Sequence, residues 1–407
     1  MKRHQHDESA WVLRGGLNPD TANVTNVLTH VSTDAAATLS ESMVLGIGGG
    51  LGAGYLLWEV NGQLPSLILG FRFRWNMHDW AEQTLGRLGA RYQVRTTTSQ
   101  ARAAAMLTDS IEAGRAPIIR PDRQLLSYWH LHPDTDTTLA PPVYAGARRG
   151  ALVAYGLAGD GILVDDRNLS PLTVDAALLA QARAKLSSSK NYMLVVDAFD
   201  TPTDLSQMIR AGIADCVEHL HASSTAVALP AWEKWVGLLT DRRNAKGWPK
   251  VYAEGRGLTS ALLAIWMGVN PAGRIGGDLR ACYADFLDEA AVHLGSAEAA
   301  ATATADLYRI AALRWQELAE AALPSDVPEF ARLRRLVTSM SDGVVAGDQR
   351  VDARGAAATE LWTMLAEYDA DPPVIVDLAT LADRLGAVAM AERSAAGSLR
   401  QLVQHRR

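Results

Sequence analysis

Cysteine is nearly absent from this sequence, since the 407 residues include only Cys216 and Cys282. Both lie in stretches with the apolar spacing of helices, so we expect no disulfide framework and a reducing, cytoplasmic environment. The sequence also lacks a zinc-type Cys/His pattern, a Walker A loop, a closed GxGxxG register, and the GxSxG and HExxH motifs. It therefore predicts no metal and no cofactor, and it excludes the common hydrolase signatures.

Basic clusters and long apolar runs are lacking as well. The formal net charge is −6 and the Lys and Arg residues are scattered, which argues against a nucleic-acid partner. The longest uncharged run, residues 43–58, is shorter than the ~20 residues that span a bilayer and is rich in glycine. The opening "MKRHQHDESAWVLRGG" has no apolar core of a signal peptide. We expect neither nucleic acid nor a membrane as a partner.

The pattern of apolar residues changes near residue 200. Earlier, short apolar runs bounded by Gly, Pro or charge predict strands at 64–73, 115–120, 151–157 and 161–166, and helices are predicted at 33–45, 78–89 and 99–113. Later, apolar residues recur every three or four positions, as in helices. We predict an α+β fold, with a mainly antiparallel sheet in an N-terminal domain of residues 1–200 and an all-α domain of residues 201–407.

Six of the nine residues from 46 to 54 are glycine. No phosphate-binding fingerprint fits them, and the run is too short for a membrane segment. The simplest interpretation is that these glycines let one backbone approach another closely or adopt positive φ at a bend.

The stretch "YWHLHPDTD" at residues 128–136 concentrates aromatic and ionisable side chains. His130, His132, Asp134 and Asp136 resemble a metal cluster, but no further ligand set with recognisable spacing follows, and a solvated loop is the alternative. If this stretch is functional, its aromatic residues are better explained as the walls of a small-molecule pocket.

Two blocks of the sequence resemble a known family. Residues 29–58, "THVSTDAAATLSESMVLGIGGGLGAGYLLW", resemble the N-terminal domain of butirosin biosynthesis protein H, with His30-Val31 where the family has His-Cys, then Leu39-Ser40-Glu41 and the glycine-rich segment. "ALVAYGLAGDGILVDDR" is similar to the family's hairpin. In the second half, "WEKWVGLLTDRRNAKGWPKVYAEG" and "GGDLRACYADFLDEAA" are similar to its companion helical domain. The resemblance spans roughly residues 24–325.

This resemblance implies a papain-like N-terminal fold and acyl transfer from a carrier-protein thioester to an amine in antibiotic biosynthesis. Such chemistry uses a thiolate at the N-terminus of a helix, activated by histidine. The resemblance puts Val31 at the nucleophile position of a helix beginning nearby and Gly150 or Ala151 at the base position, while Asp166 fits the family's aspartate. A valine cannot form an acyl-enzyme.

Three functions stay open. The amine can attack the thioester directly, with His30 as base and helix N–H groups holding the oxyanion, or Ser32 can act as nucleophile. The pocket can instead serve another step such as cyclisation, or the protein can be a non-catalytic binder. We expect an enzyme of secondary metabolism that performs acyl transfer or a related condensation or cyclisation, with the binding protein as the alternative.

The predicted site follows from these interpretations. The catalytic candidates are His30, Ser32 and Asp166. The substrate-binding candidates are Val31, Thr33, Glu41, Gly48, Gly50, Tyr55, Tyr128, Trp129 and His130. A small-molecule substrate is expected, and an acyl carrier protein and a second copy of the chain are candidate partners.

Overall fold

The strands of this protein form two antiparallel sheets. The computed structural model describes residues 11–32, 39–58, 64–72, 77–126, 128, 150–273 and 276–404. In chain order the strands are β1 (Leu51–Trp58), β2 (Ser66–Arg72), β3 (Arg91–Arg95), β4 (Ile118–Ile119), β5 (Leu152–Ala158), β6 (Gly161–Asp165), β7 (Leu172–Asp175) and β8 (Met193–Ala198).

The two sheets differ in size. β1 and β2 form a two-stranded ribbon, and the remaining strands form a six-stranded sheet in the order β3-β8-β4-β5-β6-β7. Every neighbouring pair is antiparallel. β5 and β6 form the predicted hairpin, in which Ala158 pairs with Gly161. These pairings confirm the expected antiparallel α+β architecture.

Five helices lie among these strands, and the chain after β8 is helical. The first five are α1 (Pro19–Val31), α2 (Glu41–Ile47), α3 (Met77–Arg87), α4 (Gln100–Glu112) and α5 (Ala176–Lys185). The others are α6 (Ser206–Leu220), α7 (Pro230–Thr240), α8 (Trp248–Val251), α9 (Leu258–Val269), α10 (Arg280–Ala291), α11 (Glu298–Ala322), α12 (Pro328–Val345), α13 (Asp352–Ala370) and α14 (Leu378–Gln404). Within the described part of the chain, no helix has the length and apolar character needed to cross a membrane.

The predicted helix over residues 33–45 corresponds to α2 from residue 41 onward, while residues 39 and 40 are not helical and residues 33–38 lie outside the described residues. α1 begins at Pro19, because the Asn18 side chain accepts hydrogen bonds from the amides of Asp20 and Thr21 and proline suits the first helical position. It ends at Val31, before Ser32 adopts an extended conformation. α2 begins after the cap residue Ser40, whose side chain accepts a hydrogen bond from the amide of Met43.

Each of the four predicted strands is present, and four other strands were missed. The predicted runs correspond to β2, β5, β6 and, in shortened form, β4. β1, β3, β7 and β8 were missed. β3 is a largely exposed edge strand with the sequence RYQVR, so it has no apolar run to recognise, and β1 begins inside the glycine run.

The β1–β2 ribbon packs into the helical part of the molecule. Tyr55 on β1 stacks on Trp235 of α7 with ring centroids 5.1 Å apart, and Phe71 on β2 meets Trp315 of α11 edge to face at 5.0 Å. Buried residues from both halves of the chain form one continuous hydrophobic cluster. The division at residue 200 stays a prediction.

Candidate functional site

A cavity of about 200 Å³ lies where the N-terminus of α1 meets the helical part of the chain. One wall is formed by the residues just before α1 and by the segment after β6, and the other by the turn after α9 and the end of α12. The lining residues are Gly16, Leu17, Asp166, Arg167, Pro271, Ala272, Ser341, Asp342 and Val345. The cavity therefore lies between the strand-containing and helical parts of the fold.

The N-terminus of α1 is held by Glu41, from the first turn of α2. The two carboxylate oxygens of Glu41 accept hydrogen bonds from the amides of Leu17 and Asn18, at 2.8 and 2.9 Å. One of them also accepts from the Thr21 hydroxyl at 2.5 Å. Glu41, predicted to bind substrate, thus acts as an internal anion at the positive end of a helix, where it is stabilising.

Asp166, the predicted catalytic aspartate, forms a buried ion pair with Arg123. It also accepts a hydrogen bond from the Tyr128 hydroxyl at 3.2 Å, so Tyr128 positions a cavity-lining carboxylate. Arg167 follows with φ of 64° and donates from Nη1 to the Leu17 carbonyl at 2.7 Å. L-residues rarely adopt this φ. We therefore attribute the conformation of the turn after β6 to these contacts.

The neighbouring Asp165 is oriented away from that ion pair and was missed by the sequence analysis. Its Oδ2 accepts hydrogen bonds from Trp11 Nε1 at 3.2 Å and Asn26 Nδ2 at 3.4 Å. Burial raises the pKa of Asp165 to about 6. The sequence "VDDR" already indicated that Asp165 and Asp166 face different surroundings, since consecutive residues of a strand point to opposite faces.

His30 lies at the far end of α1 from the cavity and shares the neighbour Trp11 with Asp165. Its ring is 5.0 Å from that of Trp11, which in turn stacks on Tyr155 at 5.5 Å. Eleven helical residues separate it from Pro19, a distance of about 16 Å along the axis. Trp11 thus contacts His30, Tyr155 and Asp165, and the structure does not bring His30 to the cavity.

Val31, the predicted nucleophile position, is the last residue of α1 and does not lie at the start of that helix. The groups left without intrahelical partners at a helix C-terminus are carbonyls, which cannot stabilise an oxyanion. Ser32, the other catalytic candidate, pairs with Phe199 in an isolated parallel bridge. The catalytic roles of His30 and Ser32 therefore stay predictions.

The candidates Gly48, Gly50 and Tyr55 lie in the core and do not line the cavity. A Cβ on Gly48 would lie 2.6 Å from Trp80 Nε1, and one on Gly50 would lie 2.5 Å from the Tyr283 ring. The Tyr55 hydroxyl accepts a hydrogen bond from Trp248 Nε1 at 3.1 Å. These contacts confirm the interpretation that the glycines permit close packing.

Three substrate-binding candidates, Thr33, Trp129 and His130, lie outside the described residues. The same is true of the rest of the proposed metal cluster, His132, Asp134 and Asp136. In the part of the chain that the structure describes, no group of three His, Cys, Asp or Glu side chains is placed to hold a metal ion.

Neither cysteine is placed to act as a nucleophile. Cys216 is fully buried in α6, and burial raises its pKa to about 11. Cys282 is partly buried in α10, and its pKa is raised to about 12, again chiefly by burial. Both cysteines are unpaired and lie away from the cavity.

These features define an α+β protein with a helical C-terminal region and a thiol-free cavity at the head of its first described helix. Residues 19–154 match the family model described as butirosin biosynthesis protein H, N-terminal, and residues 177–342 match the domain of unknown function DUF4872. The chain therefore contains the N-terminal domain of butirosin biosynthesis protein H followed by its companion domain, as the sequence resemblance predicted. No curated protein matches the chain.

Proposed function

We propose that this protein binds an amine-bearing small molecule of antibiotic or related secondary-metabolite biosynthesis, non-covalently, in the cavity at the head of α1. Membership of the butirosin biosynthesis protein H family supports the metabolic setting. The chemistry of the cavity supports the mode of binding. The observation that carries the proposal is the position of Asp342 and Ser341 on the cavity wall, opposite the head of α1.

The charges lining the cavity favour a cationic ligand. Asp166 is neutralised by Arg123, and the charge of Arg167 is offset by the nearby carboxylates of Glu41, Asp20 and Asp165. Asp342 is exposed, and among the described residues its side chain has no ion pair. A protonated amine can donate to this carboxylate in a charge-assisted hydrogen bond, and the Ser341 hydroxyl can bind a neighbouring polar group.

The volume limits what can enter. About 200 Å³ is below the roughly 300–1,000 Å³ of sites that enclose drug-sized ligands. One ring-sized group, such as an aminocyclitol, fits this volume. A larger ligand would extend past the exposed residues Asp342 and Val345.

The head of α1 supports binding rather than covalent catalysis. Asn18 occupies its N-cap, so this helix N-terminus carries no thiolate. The amides of Leu17 and Asn18 donate to Glu41, and those of Asp20 and Thr21 donate to Asn18. These four donors are already used, so an acyl-enzyme and its oxyanion would lack both nucleophile and stabilisation at this position.

Direct acyl transfer is the second candidate, and the surroundings of His30 favour it. Asp165 has its pKa raised to about 6, and Trp11 contacts both Asp165 and His30. Carboxyl groups that titrate near neutral pH cluster at functional sites. In this function His30 takes the proton of the attacking amine, and Ser32 is the alternative nucleophile.

Calorimetric titration with 2-deoxystreptamine, an aminocyclitol, tests the binding proposal. Asp342→Asn should weaken binding about tenfold, as expected when a charge-assisted hydrogen bond is lost, and Ala272→Phe should abolish binding by filling the cavity. Asp326→Asn, which alters an exposed carboxylate outside the cavity, is the matched control. Equal affinity in all four proteins, or no binding of any amine by the wild type, contradicts the proposal.

Direct transfer is tested by mixing the protein with a carrier-protein thioester and the same amine. His30→Ala should lower turnover by the ~10²–10⁴ typical of a lost general base, and Ser32→Ala should matter much less. An ester found on Ser32 by mass spectrometry would replace direct transfer with serine nucleophilic catalysis. If neither substitution changes turnover, this second candidate is wrong.

A further inference from the structure

Two stretches of the chain, residues 83–108 and 176–196, contain no Asp or Glu, although the whole chain contains 45 of them. The first stretch includes β3 and the larger part of α4, and the second includes α5 and most of β8. Four of their basic side chains are exposed or partly exposed, namely Arg95, Arg102, Lys185 and Lys190. Among the residues that the structure describes, none of these four forms an ion pair.

The fold joins the two stretches through one buried side chain, Arg183. Its Nη1 donates to the Ala103 carbonyl of α4 at 2.9 Å, and its Nη2 donates to the Asn191 carbonyl at 3.0 Å. Both nitrogens belong to one planar guanidinium, so the two carbonyls lie close together. Arg102 and Lys190, their neighbours in the chain, are therefore brought to the same corner of the molecule.

The turn that carries Lys190 has a strained backbone. Lys190 and Asn191 have φ of 46° and 50°, a region that L-residues rarely adopt. Two hydrogen bonds hold the turn against Thr97, whose amide donates to the Lys190 carbonyl at 2.8 Å and whose carbonyl accepts from Asn191 Nδ2 at 2.8 Å. Backbone strain of this kind occurs at functional sites, and here it fixes Lys190 beside the end of β3.

We propose that this basic corner, which consists of Arg95, Arg102, Lys185 and Lys190, binds an acidic surface of a partner protein. Arg95 ends β3, and Lys185 ends α5 two residues after Arg183. Charge complementarity supports this partner, because four cations without ion-pair partners can pair with carboxylates across an interface. The corner is independent of the function proposed for the cavity.

The extent of the corner favours a compact acidic surface over an extended polyanion. A nucleic acid or an anionic membrane would reach past these four side chains onto a chain whose formal net charge is −6. A folded acidic protein can present its carboxylates to the corner alone. Exposed hydroxyls at residues 96, 98, 187 and 188 can donate hydrogen bonds to the same carboxylates.

Fluorescence anisotropy of the full-length chain with a labelled decaglutamate peptide tests the basic corner. A triple variant with Arg102→Gln, Lys185→Gln and Lys190→Gln should weaken binding about tenfold, because three exposed charge pairs are lost together. Wild-type binding should also weaken as the ionic strength rises, because salt screens exposed charges.

The matched control is a second triple variant that loses the same charge at exposed positions in the helical part of the chain, Arg242→Gln, Arg335→Gln and Arg400→Gln. It should bind the peptide as the wild type does. Equal weakening in the two triple variants would show that net charge alone governs binding, and it overturns the proposal. No binding of the peptide by the wild type overturns it as well.

Two further measurements separate the kinds of partner. A ten-nucleotide single-stranded DNA, or vesicles of phosphatidylglycerol, that bind more tightly than the peptide and lose binding in the first triple variant would replace the protein partner. Sedimentation that shows self-association of the wild type, lost in that variant, would make a second copy of the chain the partner. Tighter binding of the peptide by a monomeric wild type supports the acidic protein partner.

Discussion

Burial shifts the protonation of individual side chains in several places. Burial, and then Arg120, lower the pKa of His78 to about 4. Burial raises the pKa of Asp165 and of Asp278 to about 6. The two cysteines show the same effect, since the thiolate is the form that burial disfavours. The pKa values of these side chains differ from their ordinary values because the fold buries them.

The raised thiol pKa values predict that the native protein resists alkylation. At pH 8 a thiol of pKa about 11 is ionised in only about one molecule in 1,000, and the thiolate is the reactive form. Iodoacetamide should therefore leave Cys216 unmodified and modify Cys282 slowly, whereas both react in urea. Peptide mass spectrometry measures this. Rapid native alkylation of Cys216 would contradict its burial in α6.

Asp278 predicts an unusual dependence of stability on pH. Its folded-state pKa of about 6 lies above the ordinary value, so the folded protein binds the proton more tightly than the unfolded chain does. This tighter binding stabilises the folded protein by roughly 2–3 kcal/mol below about pH 4, and the stabilisation is lost as the pH rises through 6.

The matched variant for this prediction is Asp278→Asn, which keeps the Oδ1 acceptor of the Arg280 amide and removes the titration. We expect the difference in free energy of unfolding between variant and wild type to shift in favour of the variant between pH 4 and pH 7. Urea denaturation at both pH values measures it. A constant difference would show that Asp278 titrates normally.

At the scale of elements, the glycine run joins α2 and β1 to the helical part of the molecule. Gly46 in α2 lies against Phe286 of α10, where a Cβ would approach the ring to 2.2 Å. Gly50, which precedes β1, has φ of 67° and lies between Tyr283 and Cys216. The run therefore serves the interface of α2 and β1 with α6 and α10.

Two glycine-to-alanine substitutions should distinguish a glycine that close packing requires from one that it does not. Gly50→Ala should destabilise the protein by about 2–4 kcal/mol, because a Cβ at this φ is strained and clashes with Tyr283. Gly386→Ala, in α14, adds a Cβ with no neighbour within 4 Å and should stabilise by about 0.5–1 kcal/mol. Urea denaturation compares the two, and equal effects would contradict this packing.

At the scale of the whole molecule, α14 completes a core that begins in the N-terminal half. Its Glu392 pairs with Arg280 at 2.6 Å, and both side chains are fully buried. Arg280 Nη2 also donates to the carbonyl of Gly52 in β1 at 2.9 Å, and Trp315 donates to Glu392 at 2.6 Å. α14 thus supplies the negative charge that pairs with Arg280 of α10, and Arg280 in turn binds β1.

Removing one member of this pair should be more harmful than removing both. Glu392→Leu leaves Arg280 buried without its partner and should cost about 3–5 kcal/mol, whereas Arg280→Met with Glu392→Leu should recover most of that loss. Glu360→Leu, which breaks an exposed pair with Arg332, is the control and should cost less than about 1 kcal/mol. Thermal and urea unfolding measure these changes, and a double variant no more stable than Glu392→Leu would contradict the pairing.

Parts of the site could be recognised from sequence, and parts could not. The Asn18-Pro19-Asp20 signal for a helix start was present, but the sequence analysis predicted no helix there. Glu41 belongs to the family motif, yet its contact with the head of α1 joins residues more than twenty positions apart. The cavity itself could not be predicted, because its walls come from segments that are distant along the chain.

The sequence by itself determined the α+β class, the change to helices near residue 200 and the family. It also showed that Val31, where the family resemblance implies a nucleophilic cysteine, carries no thiol. These features depend on local periodicity and on residue types, which are readable along the chain. Only the tertiary structure decided which end of α1 faces a cavity, that Asp165 and Asp166 serve different surroundings, and that Arg280 pairs with Glu392. Such contacts depend on side chains brought together by packing across the molecule, and local patterns carry no information about which partners will meet.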